Sequence, residues 1–523
     1  MILDLREGAG PATLRCDICV VGAGAAGLTI ATEMSNSPLE IVLLESGGME
    51  FEAPTQALYD VDLSGLPHPG STHGRFRVCG GSTTMWGGQA LPLMASDFEP
   101  REWVPHSGWP IVYEEMKPYY ERASRFLLVD GMNFDTDLFK HLGTRPPALD
   151  AEQIWYHFSK WSPRPNLREV YLPEVRESKG CRLLLHANVV NLTLDDKMER
   201  VQQIEAQSLE GHKTTIQART FVLGVGGIET ARLLLANRKQ RMNGIGNDHD
   251  LVGRFFQDHP SAFVGYLNSP QPARAQRMLN VFHKGGQKYS VRCTATKQWQ
   301  QKHRTLNVSM GTTFVEEGTT VQDLKEIYTS LRQFRFSPGL ASKAWRTALH
   351  PGAAIRPAYE FLIHGRSFTP NARMLIGLTS EQEPNPESRI LLSDKVDVLG
   401  MPRADVRWRL TDLTLHTIRE FASTLREEFA RASMGTIEME PWVFEDSAQW
   451  TAHITDQFHH IGTTRMDPSP RRGVVDQNCR VHGVENLFIG SSAVFPTSGH
   501  SNPTLTIIAL CMRLADRLKK ELE

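Results

Sequence analysis

A glycine-rich turn near the N-terminus constrains the fold of this chain more than any other feature. The apolar segment CDICVV is predicted to form a buried strand, GAGAAG (22–27) follows it, and LTIATEMSN continues as a helix. Gly22 permits the tight turn, Gly24 lets the backbone approach a pyrophosphate, and Gly27 lets the helix pack on the strand. The phosphates would lie at the helix N-terminus, where N–H groups are free and the dipole is positive. This pattern predicts a dinucleotide-binding βαβ unit.

A second apolar strand ends at an acidic residue. The strand IVLL runs into Glu45, which is 18 positions after Gly27. An acid at that distance can accept hydrogen bonds from both ribose hydroxyls of an adenosine, and it disfavours a 2′-phosphate. The strands, helix and acid together predict an adenine dinucleotide, but they do not distinguish a nicotinamide from a flavin.

Two further segments are dense in glycine. RFRVCGGSTTMWGGQALPL (75–93) places two glycine pairs around hydroxyls and a tryptophan, which lets the backbone approach something flat or phosphorylated. The alternative is a plain surface loop. TFVLGVGGIETARLLLANR (220–238) reads as strand, glycine turn and helix. It is either a second phosphate cradle or, as we favour for most of it, the returning strand of the same doubly wound sheet.

Size and composition exclude several classes of protein. At 523 residues the chain is too long for one simple core, so two joined domains are expected. The net charge of −2 does not indicate the excess of basic residues that is typical of proteins that bind nucleic acids or anionic membranes. No apolar run reaches the roughly 18–20 residues of a membrane span. The N-terminal residues lack the pattern of a secretory or twin-arginine signal, so we expect a cytoplasmic protein.

The seven cysteines are scattered and odd in number, which argues against a disulfide framework. Cys16 and Cys19 form a CxxC, but they lie on a predicted strand, where positions three apart point to opposite faces. We interpret them as two buried strand thiols. No second CxxC completes a zinc site and no cysteine run suits an iron–sulfur cluster, so we expect no metal.

The motifs, taken in order, carry a family resemblance. They are GAGAAG with its acid, GGSTTMWGG, SGWPI…PYY, LGVGGIETARLLL, NDHDLVGRFFQDHP, EQEPNPESRILLS and the C-terminal FHHIGTTRMDP…FPTSGHSNPTLT. Together they resemble the glucose–methanol–choline (GMC) oxidoreductases, and the last motif and GGIETARLLL look closest to the branch with pyranose oxidase and flavin sugar dehydrogenases. The resemblance spans nearly the whole chain and is weakest over 265–370 and 405–450.

The resemblance implies an α/β fold with two domains. One is a discontinuous, Rossmann-like, doubly wound FAD-binding domain, expected at 1–135, 180–260 and 452–523. The other is an α+β substrate domain with an antiparallel sheet, expected at 136–179 and 261–451. Within it, the basic segment 334–356 is predicted to be a solvated insertion that covers the pocket.

The resemblance also assigns the catalytic residues. His459 matches the histidine of the family pattern H-x-x-G-T and is expected to be the general base, with Asn502 as its partner on the substrate oxygen. An imidazole with a near-neutral pKa can take the alcohol proton as hydride leaves the carbon. Asn502 is also a plausible helix N-cap before Pro503, and the two roles are compatible. His500 is left open as a second acid or base, a flavin contact or a pocket wall.

Other residues receive lesser roles. His460 is expected to be a packed or solvated neighbour of the base, and His259 a buried, hydrogen-bonded structural histidine. Arg465 and Asp476 are expected to anchor loops. Gln382 and Glu383 are expected to hydrogen-bond substrate hydroxyls.

The cofactor is predicted to be FAD, held without a covalent bond. Some sugar oxidases of this branch tether FAD through a histidine in a motif like S-T-H-W, whereas Met85 stands at that place here and cannot form the link. The predicted cofactor-binding residues are Gly22, Gly24, Ala25, Ala26, Gly27, Glu45, Ser46, Gly80, Gly81, Ser82, Met85, Trp86, Gly87, Gly88, Val189, Gly490, Ser491, Pro503 and Thr504.

These expectations converge on an FAD-dependent enzyme that oxidises a secondary alcohol of a sugar, glycoside or polyol to a ketone. Reduced flavin would pass its electrons directly to oxygen or a quinone-type acceptor, because no cysteine cluster for an electron relay is present. The alternatives are oxidation of a non-carbohydrate alcohol in secondary metabolism, a lyase that uses FAD structurally, and an NAD-binding protein. The chain is a candidate homo-oligomer.

Overall fold

The structure is a computed structural model that describes residues 1–7, 12–315, 342, 351–445 and 449–523. The predicted insertion at 334–356 lies outside the described residues except for 342 and 351–356. The strands of the described residues form three sheets. No helix in the described ranges is long and apolar enough to cross a bilayer.

The first sheet is mostly parallel, and its central strands are runs of buried aliphatic residues. Such runs are typical of parallel strands covered on both faces. The strands lie side by side in the order β1-β7-β3-β2-β10-β9-β8, and β20 also pairs with β10. Strands β8 and β9 are antiparallel to their neighbours. The strands are β1 (Ile2–Asp4), β2 (Thr13–Val21), β3 (Ile41–Leu44), β7 (Cys181–Leu185), β8 (Asn188–Leu194), β9 (Val201–Gln207), β10 (Lys213–Leu223) and β20 (Leu487–Ile489).

Helices cover the parallel strands. The first helix, α1 (Ala25–Glu33), packs against α6 (Leu167–Glu177) and against the C-terminal helix α12 (Thr504–Leu522). Helix α12 also packs against α4 (Tyr113–Phe126), and α7 (Gly227–Ala236) follows the turn after β10. In chain order, the first seven described helices are α1 (Ala25–Glu33), α2 (Ala53–Gln56), α3 (Gly70–His73), α4 (Tyr113–Phe126), α5 (Asp137–His141), α6 (Leu167–Glu177) and α7 (Gly227–Ala236). The C-terminal helix is α12 (Thr504–Leu522). The predicted doubly wound domain is confirmed, and within 220–238 the strand is the end of β10, which returns to the same sheet beside β2, while α7 follows the glycine turn.

The second sheet is antiparallel throughout, as predicted for the substrate domain. It follows the order β18-β11-β15-β14-β13-β6-β5, with β12 beside β13 and β19 beside β11. Its strands are β5 (Gln89–Ala90), β6 (Ile154–Trp161), β11 (Ser261–Asn268), β12 (Val281–Lys284), β13 (Gln287–Ala295), β14 (Val308–Val315), β15 (Arg373–Ser380), β18 (Thr436–Met439) and β19 (Ile454–Thr455). One face packs on α11 (Asp412–Arg431). The other helices of this region are α8 (Pro272–Leu279), α9 (Lys297–His303) and α10 (Pro351–His364).

A small third sheet joins distant parts of the chain. It consists of β16 (Arg389–Val396), β17 (Pro402–Arg407) and β4 (Val61–Leu63), and α7 packs on it. Strand β5 belongs to the antiparallel sheet although it lies within the segment 1–135. The exact domain boundaries stay a prediction.

Candidate active site

The glycine turn has the close contacts that its sequence predicts. Gly22 has a φ of +96°, and a Cβ placed on Gly27 would lie 1.8 Å from the carbonyl oxygen of Gly22. A Cβ on Gly24 would instead meet nothing nearer than the Cα of Gly81 at 3.8 Å. Gly22 and Gly27 are therefore required by the packing of strand, turn and helix, whereas Gly24 leaves open space in front of the helix N-terminus.

Glu45 is tied to this turn. Its carboxylate is buried and accepts hydrogen bonds from the backbone N–H groups of Ala23 and Gly47, both at 2.9 Å. Burial raises the pKa of Glu45, against the effect of these two hydrogen bonds. Glu45 thus fixes the turn relative to the end of β3 while it lines the adjacent cleft.

A cleft of about 630 Å³ runs from the glycine turn to the start of α12. Most of the residues predicted to bind the cofactor line this cleft. The exceptions, which are not part of its wall, are Gly27, Gly80, Gly88 and Gly490. The predicted residues in the wall are Gly22, Gly24, Ala25, Ala26, Glu45, Ser46, Gly81, Ser82, Met85, Trp86, Gly87, Val189, Ser491, Pro503 and Thr504, together with His459 and Asn502. The sequence analysis missed other wall residues, namely Tyr59, His73, Arg75, Arg77, Trp161 and Glu229.

A chain of hydrogen bonds fixes the proton positions on His459. Its Nδ1 lies 2.7 Å from Nδ1 of His259, whose Nε2 lies 3.2 Å from the carbonyl oxygen of Ser498. Burial lowers the pKa of both histidines, that of His459 to about 3, so both rings are neutral near pH 7. A carbonyl only accepts, hence Nε2 of His259 is protonated and its Nδ1 accepts the proton of His459 Nδ1. Nε2 of His459 is left with its lone pair.

That lone pair points toward Asn502. The side-chain amide nitrogen of Asn502 lies 3.3 Å from Nε2 of His459, and both residues are half-buried in the cleft wall. The predicted pairing of these two side chains is therefore present as a contact. The predicted N-cap is wrong: α12 begins at Thr504, Pro503 occupies the cap position, and Asn502 makes no capping bond to the helix.

Asp258 holds the backbone around both histidines. It is fully buried and accepts N–H bonds from Gln457 (2.9 Å), His259 (2.6 Å) and His459 (2.8 Å), while Nε2 of His68 lies 3.2 Å from it. Burial would raise its pKa, but the His68 contact and the nearby histidines outweigh burial and lower it to about 2. Asp258 and two histidines lie close enough together to ligate a metal, yet these hydrogen bonds already account for its oxygens.

The sequence analysis missed this arrangement. His259 is buried and hydrogen-bonded as expected, but its partner is the ring of His459 itself. Asp258 precedes it in QDHP and was not singled out. Their separation from His459 by about 200 residues leaves no periodic signal, and only the adjacency of Asp258 and His259 hints at a site.

The remaining histidines take other partners. His500 is buried, and its Nε2 lies 2.9 Å from Nε2 of His157 on β6. Burial lowers the pKa of His500 well below its usual value and that of His157 to about 3. His460 is largely buried in the cleft wall, 5.7 Å ring to ring from His68, as expected for a packed neighbour.

The structure bears differently on the expected substrate contacts, Gln382 and Glu383, and on the expected loop anchors, Arg465 and Asp476. Gln382 is wrong as a substrate contact: it is 1% exposed, and its amide bonds the Asp258 N–H, the Trp408 indole and backbone carbonyls. Glu383 accepts a hydrogen bond from Thr411. Arg465 and Asp476 do anchor loops, through the carbonyl of His106 and through two backbone N–H groups respectively.

Family comparisons agree with this architecture. Two models described as GMC oxidoreductase match the chain, the N-terminal one at residues 157–261 and the C-terminal one at 384–511. The fructose dehydrogenase large subunit of Gluconobacter japonicus is 24% identical, covering 98% of this chain and 99% of that protein. The 6'''-hydroxyparomomycin C oxidase of Streptomyces lividus is 23% identical over 99% of this chain and 94% of its own.

Solved structures share the fold. A fungal aryl-alcohol oxidase superposes with a TM-score of 0.59 at 16% identity, covering 97% of this chain and 99% of the other. Members of the matched family bind FAD, and the residues here fit that group: a turn with no room for a Cβ at Gly22 or Gly27, an open space at Gly24, and a long cleft that ends beside His459.

Proposed function

Because the chain belongs to the GMC oxidoreductases, FAD-dependent enzymes that act on alcohol groups, we propose that it oxidises a secondary alcohol of a sugar, glycoside or polyol to the ketone. The observation that carries this proposal is the unprotonated Nε2 of His459 beside the amide of Asn502 in the cleft wall. Relatives named for fructose and paromomycin chemistry support a polyhydroxylated substrate.

In the proposed reaction His459 and Asn502 have different roles toward the alcohol. Asn502 donates an N–H to the alcohol oxygen, and Nε2 of His459 accepts the hydroxyl proton. FAD, when bound, supplies the acceptor for the hydride that leaves the carbinol carbon. Loss of the hydroxyl proton to Nε2 of His459, together with loss of the hydride from the carbinol carbon, would leave the ketone.

The surroundings of His459 suit a base that becomes charged. Once Nε2 is protonated, Nδ1–H still donates to His259, so the chain to the Ser498 carbonyl needs no rearrangement. The nearby Asp258 carboxylate favours the cation and opposes the effect of burial on the His459 pKa. His500 is proposed to form a wall of the substrate side, with its bond to His157 fixing the ring.

Residues proposed to hold FAD are those of the glycine turn, Glu45, the 80–88 segment and the start of α12. Met85 is 69% exposed and cannot make a histidyl link, which supports non-covalent attachment. The first N–H groups of α12 have no partner within the helix and would favour negative charge on the cofactor.

Anaerobic mixing with a panel of sugars, glycosides and polyols tests the proposal. We expect the flavin absorbance near 450 nm to bleach with at least one member. Reoxidation of the bleached enzyme by oxygen or by a quinone then identifies the acceptor. Turnover of a substrate without bleaching would point to a lyase and contradict the proposal, and a purified protein without bound flavin would overturn it.

A further inference from the structure

An arginine for which the described residues provide no counter-ion lies on the sheet face that adjoins the candidate active site. On strand β13, Tyr289, Val291, Cys293 and Ala295 are buried in the apolar core on one side. Arg292 projects to the other side, because neighbouring residues of a strand point to opposite faces. It is half-buried and has no hydrogen bond or ion pair with any residue the structure describes.

This face is joined to the site by two contacts. Arg292 is directly opposite His157 in the pairing of β13 with β6, and His157 bonds His500 at 2.9 Å. Trp161 lies on the same face of β6 and lines the cofactor cleft. The charge of Arg292 adds to burial in lowering the pKa of both His157 and His500.

The sheet is shaped to accept the guanidinium. A Cβ built on Gly311, in β14, would lie 2.3 Å from Nη1 of Arg292, so the absence of a side chain there lets the guanidinium lie across the strand. The surrounding face is polar and incompletely satisfied: the hydroxyls of Ser159, Thr294 and Ser309 are buried without hydrogen-bond partners in the described part of the chain. Such a face is unlike a hydrophobic core, in which polar groups are paired.

The electrostatics require a partner for Arg292. Burial lowers its pKa, and no described carboxylate lies near enough to offset this. An unpaired buried cation is costly to a fold, and a planar guanidinium binds carboxylate or phosphate oxygens through paired N–H donors. The neutral imidazole of His157 beside it carries no charge that could serve instead.

We infer that Arg292 is a specificity residue that binds an anionic group of the substrate, a carboxylate or a phosphate on the polyhydroxylated alcohol. This inference rests on the proposed function and narrows its substrate to acidic sugars or sugar phosphates. The hydroxyl to be oxidised lies at His459 and Asn502, and the anion lies against Arg292 on the polar sheet face.

Matched substrates test the inference. Flavin reduction is followed anaerobically with neutral sugars, with the corresponding uronates and aldonates, and with their phosphate esters. We expect the second-order rate constant of reduction to be about 10–100-fold higher for one anionic class than for its neutral partner, the range that charge-assisted hydrogen bonds give. The anionic class that reacts separates carboxylate from phosphate. Reduction by neutral sugars in preference to every anionic partner overturns the inference and leaves the proposed function standing.

Variants separate binding from folding. Arg292→Met should lose this preference, Arg292→Lys should retain part of it, and Arg373→Met should keep it. Arg373 is an exposed arginine of β15 that stacks on Tyr266, 3.7 Å from its ring centroid, and serves as the control. Arg292→Met should also melt at a higher temperature than the parent, because it removes a buried, unpaired charge. A lower melting temperature, or an equal loss for neutral and anionic substrates, would assign Arg292 a structural role instead.

Discussion

Nδ1 of His259 and Nδ1 of His459 lie 2.7 Å apart, so one histidine determines which nitrogen of the other is protonated. The Ser498 carbonyl orients His259, and His259 in turn leaves Nε2 of His459 free to accept a proton. Asp258 fixes the backbone of both residues. The proposed base of this site is therefore oriented by described groups that do not line the cleft themselves.

His259→Leu should lower kcat, because Nδ1 of His459 loses its acceptor and the ring can adopt the other tautomer. In a comparable case the wrong tautomer costs about 10⁴-fold in a serine protease triad, and we expect a loss of about 10²–10⁴-fold here. His259→Gln, whose side-chain oxygen can accept a hydrogen bond, should retain more activity. Rates of flavin reduction at saturating substrate, normalised to bound FAD, measure the effect. Equal activity of both variants and the parent would show that His259 does not act through the tautomer.

Two glycine substitutions should have different effects. Gly24→Ala meets no protein atom closer than 3.8 Å, so we expect a folded protein that has lost FAD affinity at the space left for the pyrophosphate. Gly27→Ala would place Cβ 1.8 Å from a carbonyl oxygen, so we expect it to destabilise the fold as well. FAD content and the melting temperature of the FAD-free protein separate the two outcomes. A Gly24→Ala protein with full FAD content would contradict the assigned cradle.

Denaturation should release the flavin. Met85 cannot form a histidyl bond, so acid precipitation of the protein should leave all yellow colour in the supernatant. Flavin fluorescence on the denatured chain in a gel would contradict non-covalent binding.

Stability should fall as the pH is lowered from about 6.5. Burial lowers the pKa of His157 and His459 to about 3, so the unfolded chain binds protons that the folded protein does not between these values. Each such histidine costs up to about 1.4 kcal/mol per pH unit as the pH falls through this window. The melting temperature should therefore drop between pH 7 and pH 5, and His157→Gln should drop less. An equal drop in both proteins would mean that His157 is protonated in the folded state.

Local patterns account for what the sequence predicted well. The turn at Gly22 and Gly27 is encoded by contiguous residues, and the buried runs of β2 and β3 have the composition of covered parallel strands. The partnership of His459 with Asn502 came from family resemblance, since 43 residues separate them and neither periodicity nor spacing brings them together. Asp258 and Arg292 were missed, and the contact of His259 with the ring of His459 was not foreseen, because these roles depend on contacts between distant strands and loops. Asn502 looked like a helix cap because its residue type suits one, yet its side chain is directed to His459 instead.

His459 is proposed to take the alcohol proton, and rapid anaerobic mixing of the His459→Ala protein with a substrate that bleaches the parent flavin tests this role. We expect the variant to bind FAD as the parent does, because the turn at residues 22–27 is untouched, and its flavin reduction to slow by about 10²–10⁴-fold. Reduction at the parental rate in a fully FAD-loaded His459→Ala protein would show that His459 is not the base.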